Sequence, residues 1–260
     1  MKTKFDKTYV LSVPSYKIRY NFVKEQLDDL GIDFEFVWGT DLGNINTDSL
    51  GYKIQYPQLW EYETHCTGKD FSCTINHYNA VLQAYEFGYE SVLIMEDDIC
   101  FVKNKNLVEQ MLTEIPNDAD FVTYDPRFSQ PWDFEKFEHN LIHCDDLFMK
   151  NYPNEYEFIF GAILYGIMNR DTMKLYLDNQ RKRLMMSDHV NGLFMNITTN
   201  KYIATKCICT DELNIQTNFS TKISPAWFNN YRYKEQLDIN NFYIPKEYHA
   251  CERIQLNTNV

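Results

Sequence analysis

Val92-Leu93-Ile94-Met95-Glu96-Asp97-Asp98-Ile99 decides how this chain folds: four apolar residues predict a buried strand that delivers three consecutive carboxylates to its carboxyl end. Adjacent anions repel one another and lose hydration when half buried. They persist where a hard cation, or hydrogen-bond donors such as ribose hydroxyls, compensate them. The carboxyl ends of strands are also where open α/β sheets bind ligands. The plain alternative is a solvated acidic turn after an ordinary strand.

Working outward, residues 71–88 carry apolar or aromatic side chains at 71, 75, 78, 82 and 85, steps of four and three that predict an amphipathic helix stopped by Gly88. Helix, short turn, strand and acidic end then form one unit. Nearer the start, Tyr9-Val10-Leu11-Ser12-Val13 predicts a first strand. From Pro14-Ser15 a helix runs with Tyr16, Tyr20, Val23, Leu27 and Leu30 towards the sheet, ending at Gly31, before a second strand at Phe34–Trp38. This is a βαβ crossover, the opening of a nucleotide-binding half-sheet, without G-x-G-x-x-G or a Walker loop. Downstream, Asn104 to Ile115 predicts a helix halted by Pro116, Phe121–Tyr124 a strand, and Phe158–Met168 a strand pair or bent strand followed by a helix from Asn169. Arg181-Lys182-Arg183 closes that helix, where compensation of its dipole is expected ahead of diphosphate or membrane contact. Residues 43–70 predict a long binding loop or lid, and 125–153, with Trp132, Phe134, Phe137, His139, His143, Asp145 and Asp146, an aromatic and acidic loop. It either floors an acceptor pocket or packs under its neighbours.

At 260 residues and 44% hydrophobic content the chain suits one α/β domain with elaborations. A net charge of −12 argues against nonspecific nucleic-acid or anionic-membrane binding. No run approaches a membrane span or a signal-peptide core, so a soluble, cytoplasmic protein is expected. The seven cysteines lack any C-x-x-C pair, and reduced thiols are expected; Cys207 and Cys209 read as small buried hydrophobes before they read as ligands. Of the six histidines only His139 and His143 stand at H-x-x-x-H spacing, within the aperiodic 125–153 loop, so no histidine-built zinc site is expected, with His249 at most a remote ligand.

Cys73 and His77, followed by Ile94-Met95-Glu96-Asp97-Asp98, resemble the signature of glycosyltransferase family 25, the lipopolysaccharide and procollagen galactosyltransferase-like group. That pattern runs G-C-x-x-S-H, a helix, then two hydrophobic residues and E-D-D; Ser72 replaces its glycine here and Asn76 its serine. The resemblance implies a GT-A type nucleotide-sugar-binding fold, a mixed and mostly parallel central sheet flanked by helices. It implies a single glycosyltransferase domain over 1–260, with a nucleotide-binding half at about 1–125, an acceptor-side half at about 126–225 and a C-terminal extension at about 226–260. The implied reaction is metal-dependent, inverting transfer of a sugar, by default galactose, from a UDP-sugar to a hydroxyl of a glycan or glycosylated acceptor.

In that resemblance Ser12, Arg19 and Asp41 line the nucleotide, each with an ordinary alternative as strand end, helix charge or turn. Asp98 and Glu96 would hold Mn²⁺ or Mg²⁺, and Glu96 or Asp97 would engage ribose or a metal-bound water. Asp188 is the candidate base, or else the cap of a helix from Val190, and Gln216 lies near the donor diphosphate. Two rivals stand beside this reading. A sugar nucleotidyltransferase or metal phosphohydrolase also places carboxylates at strand ends, but the former needs a Gly-rich basic first loop that Ser12-Val13-Pro14-Ser15-Tyr16 is not. A non-catalytic carbohydrate-binding relative would tolerate the departures at Ser72 and Asn76, whereas the intact Glu-Asp-Asp argues against it.

Overall fold

The strand, helix and strand expected at the start are β1 (Lys7–Ser12), α1 (Lys17–Leu30) and β2 (Glu35–Trp38), with Gly31 closing the helix in the left-handed region at φ 70°. This is a computed structural model, and it describes residues 1–41, 68–125, 127–128, 138–145, 159–182, 190–211 and 241–243. Next come α2 (Gly68–Glu86), β3 (Val92–Glu96) and β4 (Ile99–Phe101). The helix α3 (Lys105–Thr113) starts where the Asn104 side chain accepts from Leu107 N at 3.2 Å, and ends before Pro116. It leads to β5 (Phe121–Thr123), β6 (Arg127–Phe128) and β7 (Leu141–His143). The apolar run at 158–168 is indeed two strands, β8 (Ile159–Phe160) and β9 (Leu164–Ile167), broken at Gly161. Asn169 then caps α4 (Arg170–Lys182) by accepting from Thr172 N at 2.8 Å. The described chain continues through α5 (Val190–Ile197), β10 (Lys201–Ala204) and β11 (Cys209–Asp211).

Seven strands form the main sheet in the order β2-β1-β3-β9-β5-β10-β7. β2, β1 and β3 are mutually parallel, β9 runs against both β3 and β5, β10 is parallel to β5, and β7 opposes β10. Only β9 and β7 therefore run against the rest, which is the mixed, mostly parallel sheet expected. Helices cover both faces, so β3 reads as an unbroken apolar run and Val92 to Met95 are all 0% exposed. Alternate residues still go to opposite sides. Leu93 and Met95 join Val23, Leu27, Val108 and Met111 in one core. Val92 and Ile94 join Ala80, Val81, Ala84, Met173 and Phe194 in the other.

One expectation needs correcting. The stripe at 71, 75, 78, 82 and 85 is only half buried, and the face that α2 presses on the sheet is Thr74, His77, Ala80, Val81 and Ala84. The larger residues turn towards α4 instead: Arg181 Nε donates to Tyr78 Oη at 2.9 Å, and the Arg170 guanidinium stacks 4.5 Å from the Tyr85 ring. A helix held between a sheet and a second helix buries two faces. Small residues on one let it approach the strands closely, which a hydrophobic stripe alone does not reveal. Arg181 also pairs with Asp178 at 3.8 Å, in keeping with a local, dipole-complementing role for this basic turn.

On β9, a Cβ at Gly166 would lie 2.3 Å from the Phe5 ring, so glycine here admits an aromatic plug over the sheet's centre. Among the described residues, Cys100, Cys144, Cys207 and Cys209 are buried thiols, as expected, and no helix is long and apolar enough to cross a membrane. The greater part of the 43–70 segment, together with Trp132, Phe134, Phe137, Asp146 and His249, lies outside the described residues.

Candidate functional site

Because β3 is central and parallel to β1, its carboxyl end opens beside that of β1, with Leu11 in register with Glu96. The chain turns at Asp97-Asp98 and leaves as β4, which is buried throughout and pairs with β11. Asp97 is 6% exposed; Ser12 Oγ donates to its Oδ2 at 2.6 Å. Arg19, one turn into α1, brings Nη1 to 3.6 Å from Asp97 Oδ1 and 3.4 Å from Asp98 Oδ2. The acidic turn is thus compensated by a β1 hydroxyl and an α1 guanidinium, not simply solvated. Burial pushes the Asp97 carboxyl up to about 7, against the downward pull of Arg19 and with a further upward push from Asp98.

This has a stability consequence. A carboxyl that ionises near 4 when unfolded but near 7 when folded favours the folded state fully below the lower value, and loses that contribution as pH rises through the upper one. Between pH 8 and pH 6 the metal-free protein should gain a few degrees in melting temperature from this group. Asp97→Asn should flatten the slope in a differential scanning fluorimetry series. An unchanged slope would show that Asp97 does not titrate there.

Asp98 differs from its neighbour. Its Oδ1 is buried and has no hydrogen-bond partner among the described residues, an arrangement a hard cation would satisfy. The residues therefore fit an oxygen-ligated Mg²⁺ or Mn²⁺. Glu96 turns Oε1 the other way, towards α2, where His77 Nε2 lies 3.1 Å and Cys73 Sγ 3.9 Å from it. His77 is wholly buried, and its Nδ1 meets Tyr165 Oη, from β9, at 2.9 Å. Tyr165, raised far above its ordinary range by burial, stays protonated.

The two departures from the family pattern have a common task. Ser72 Oγ donates to the Thr40 carbonyl, and Asn76 Nδ2 donates to the carbonyls of Ser12 and Val37 at 3.4 and 3.2 Å. One turn apart on α2, they tie down the exits of β1 and β2. Gly39 sits so close that a Cβ there would meet the Asn76 side chain at 3.0 Å. Serine is too short to span both carbonyls. On the outer side, Ser15 Oγ donates to Asp41 Oδ2 at 3.0 Å, joining the two loops.

Ser12, Arg19, Glu96, Asp97 and Asp98 are accordingly brought together, with Asp41 on the adjoining loop. Asp188 and Gln216 lie outside the described residues, as does any test of Asp188 as helix cap. The segment that carries Gln216 departs from β11, whose Asp211 is in register with Ile99, immediately after the acidic turn. Two residues were not read from the sequence at all. Gln26, 1% exposed, bonds the backbone of β4 on both sides of Cys100. Tyr165 reaches the site through His77, and a histidine on the small-residue face of α2 was the available signal.

A family model described as glycosyltransferase family 25 (LPS biosynthesis protein) matches residues 5–190. Among curated proteins none matches. Solved structures are loosely similar, two of which illustrate the likeness. One is a glycosyltransferase involved in the glycosylation of the major capsid of PBCV-1, with 10% identity, 76% of this chain and 80% of that one covered, and a TM-score of 0.40. The other is mannose-1-phosphate geranyltransferase from Thermus thermophilus, with 10% identity, 83% and 79% covered, and a TM-score of 0.40. The family match spans well over half of the chain, and the chain belongs to glycosyltransferase family 25.

Proposed function

We propose that this family 25 glycosyltransferase moves a sugar, galactose by default, from a UDP-sugar to a hydroxyl of a glycan or glycosylated acceptor, with inversion at the anomeric carbon. The observation that carries the proposal is the acidic turn itself. Asp97 is engaged by Ser12 and Arg19, while Asp98 keeps one buried oxygen without a partner among the described residues. Asp98 would hold Mn²⁺ or Mg²⁺, which when bound neutralises charge on the departing nucleoside diphosphate. Ser12 and Arg19 orient the carboxylates from the β1 side, and Asp41 and the loop it shares with Ser15 flank the nucleoside. Glu96, its Oε1 engaged by His77, has its other oxygen to offer ribose or a water on the ion. Asp188 takes the acceptor hydroxyl proton as base, and Gln216 contacts the diphosphate. The division into a nucleotide half at about 1–125, an acceptor half at about 126–225 and an extension at about 226–260 belongs to the same reading, as does a cytoplasmic setting, which the buried reduced thiols favour.

The test is nucleotide release from a panel of UDP-, GDP- and CMP-sugars with and without Mn²⁺. Release from UDP-galactose that requires the metal is expected. Release from another donor alone would replace the donor assignment. No release from any donor, with no calorimetric binding of UDP in the presence of Mn²⁺, would leave the chain a non-catalytic relative.

A further inference from the structure

We propose that Cys73 Sγ, His77 Nε2 and Glu96 Oε1 form a second metal site, suited to Zn²⁺ and separate from the oxygen-ligated ion at Asp98. The three donor atoms lie within 4.8 Å of one another, and two of them converge on one carboxylate oxygen, at 3.1 and 3.9 Å. Zinc bonds of ordinary length at tetrahedral angles separate N, O and S donors by about 3.3–3.5 Å. Small side-chain adjustments therefore close the site.

The sequence builds it simply. Cys73 and His77 are one helical turn apart, so they share a face of α2, and Glu96 meets them from the end of β3. Thiolate, imidazole and a single carboxylate are a zinc set, whereas Mn²⁺ and Mg²⁺ prefer the all-oxygen surroundings of Asp98. Among the described residues three ligands converge, and the partial exposure of Cys73 and Glu96 gives water access to a fourth position. A ligating histidine needs a partner on its other nitrogen, and Tyr165 Oη stands 2.9 Å from Nδ1.

Without metal, the same atoms form a hydrogen-bonded chain in which Tyr165 donates to Nδ1 and Nε2 donates to Glu96. On binding, Nε2 gives up its proton and Nδ1 gains one, so the imidazole stays neutral; Nδ1–H then donates to Tyr165 Oη, whose own hydrogen rotates off the ring nitrogen, and Cys73 releases its thiol proton to solvent. Bound zinc would lock α2 to β3 and fix Glu96 beside the donor. The inference does not depend on which donor is used.

The experiment strips the full-length protein with chelator and titrates it anaerobically with Co²⁺. One equivalent should produce a thiolate-to-cobalt charge-transfer band in the near ultraviolet with tetrahedral visible bands, and Zn²⁺ should bleach both. The band should vanish in Cys73→Ser and persist in Asp98→Ala, even though Asp98→Ala loses donor turnover, so the two metal readings fail separately. Tyr165→Phe should weaken Co²⁺ binding about tenfold or more. Absence of the band in the unaltered protein, or its survival in Cys73→Ser, would overturn the site. Should Cys73→Ser not fold, alkylation of the unaltered protein decides the matter. Zn²⁺ should slow iodoacetamide modification of Cys73, read by peptide mass spectrometry, at least tenfold; equal rates with and without Zn²⁺ would also overturn it.

Discussion

Asp98→Ala should lower metal-dependent donor turnover about 10³-fold while leaving the melting temperature within about 2 °C of the parent protein, or above it. The two halves of this expectation have one cause. Among the described residues Asp98 Oδ1 is buried without a partner, so its removal in the metal-free fold relieves an uncompensated oxygen and offsets the loss of the Oδ2 pair with Arg19. Arg19 keeps Asp97 as a partner at 3.6 Å after the substitution. The departing diphosphate, in contrast, loses the ion that Asp98 would hold, and several kcal/mol of charge stabilisation corresponds to three or more powers of ten in rate. Asp98→Asn keeps one oxygen of the right shape without the charge and should fall between, with the loss showing as a weaker Mn²⁺ requirement curve. Turnover within threefold of the parent in Asp98→Ala would remove Asp98 from the site. A collapse of the fold would mean that Oδ1 has a structural partner after all.

The contrast between Asp97 and Asp98 bears on what could be read from the sequence. Glu-Asp-Asp at the end of an apolar run is legible, because three adjacent anions demand compensation wherever they are half buried. That Ser12 and Arg19 supply it follows from the βαβ opening, whose register sets the end of β1 beside the end of β3. What stayed hidden depends on packing rather than on pattern. The stripe at 71, 75, 78, 82 and 85 has the right period but the wrong phase, since α4 covers the large residues and the sheet takes Ala80 and Ala84. The same error of phase concealed what His77 contacts: named from the motif, it stands on the sheet face and there meets Glu96 and Tyr165. Ser72 and Asn76 looked like weakenings of a motif because the motif records residue types. Their long-range bonds to Thr40, Ser12 and Val37 show them holding the exits of β1 and β2, which no spacing within α2 encodes.

Gln26→Leu should destabilise the protein by about 3 kcal/mol, lowering the melting temperature by roughly 10 °C. Gln26 lies in the apolar stripe of α1 between Val23 and Leu27, 1% exposed, where a polar side chain is out of place unless it is fully satisfied. It is satisfied by β4: Nε2 donates to the Ile99 carbonyl at 2.9 Å and Oε1 accepts from Phe101 N at 2.8 Å. One amide thus serves the Ile99 carbonyl and Phe101 N on the side of β4 turned from β11, where the bridge between Val102 and Phe242 takes over one residue further on. Leucine has nearly the same volume and leaves no cavity, so the loss isolates the hydrogen bonds: two buried backbone groups would be left without partners, at about 1–3 kcal/mol each. The effect should also reach the site. Ile99 is the first residue after Asp98, and releasing it frees the acidic turn to move against Arg19. Donor turnover should therefore fall at temperatures where Gln26→Leu is still folded, with a raised Mn²⁺ requirement that added metal partly restores. A melting temperature within about 2 °C of the parent would show that β4 finds other donors. A fall in stability with an unchanged metal requirement would show that Arg19 and Ser12 hold the acidic turn without help from β4.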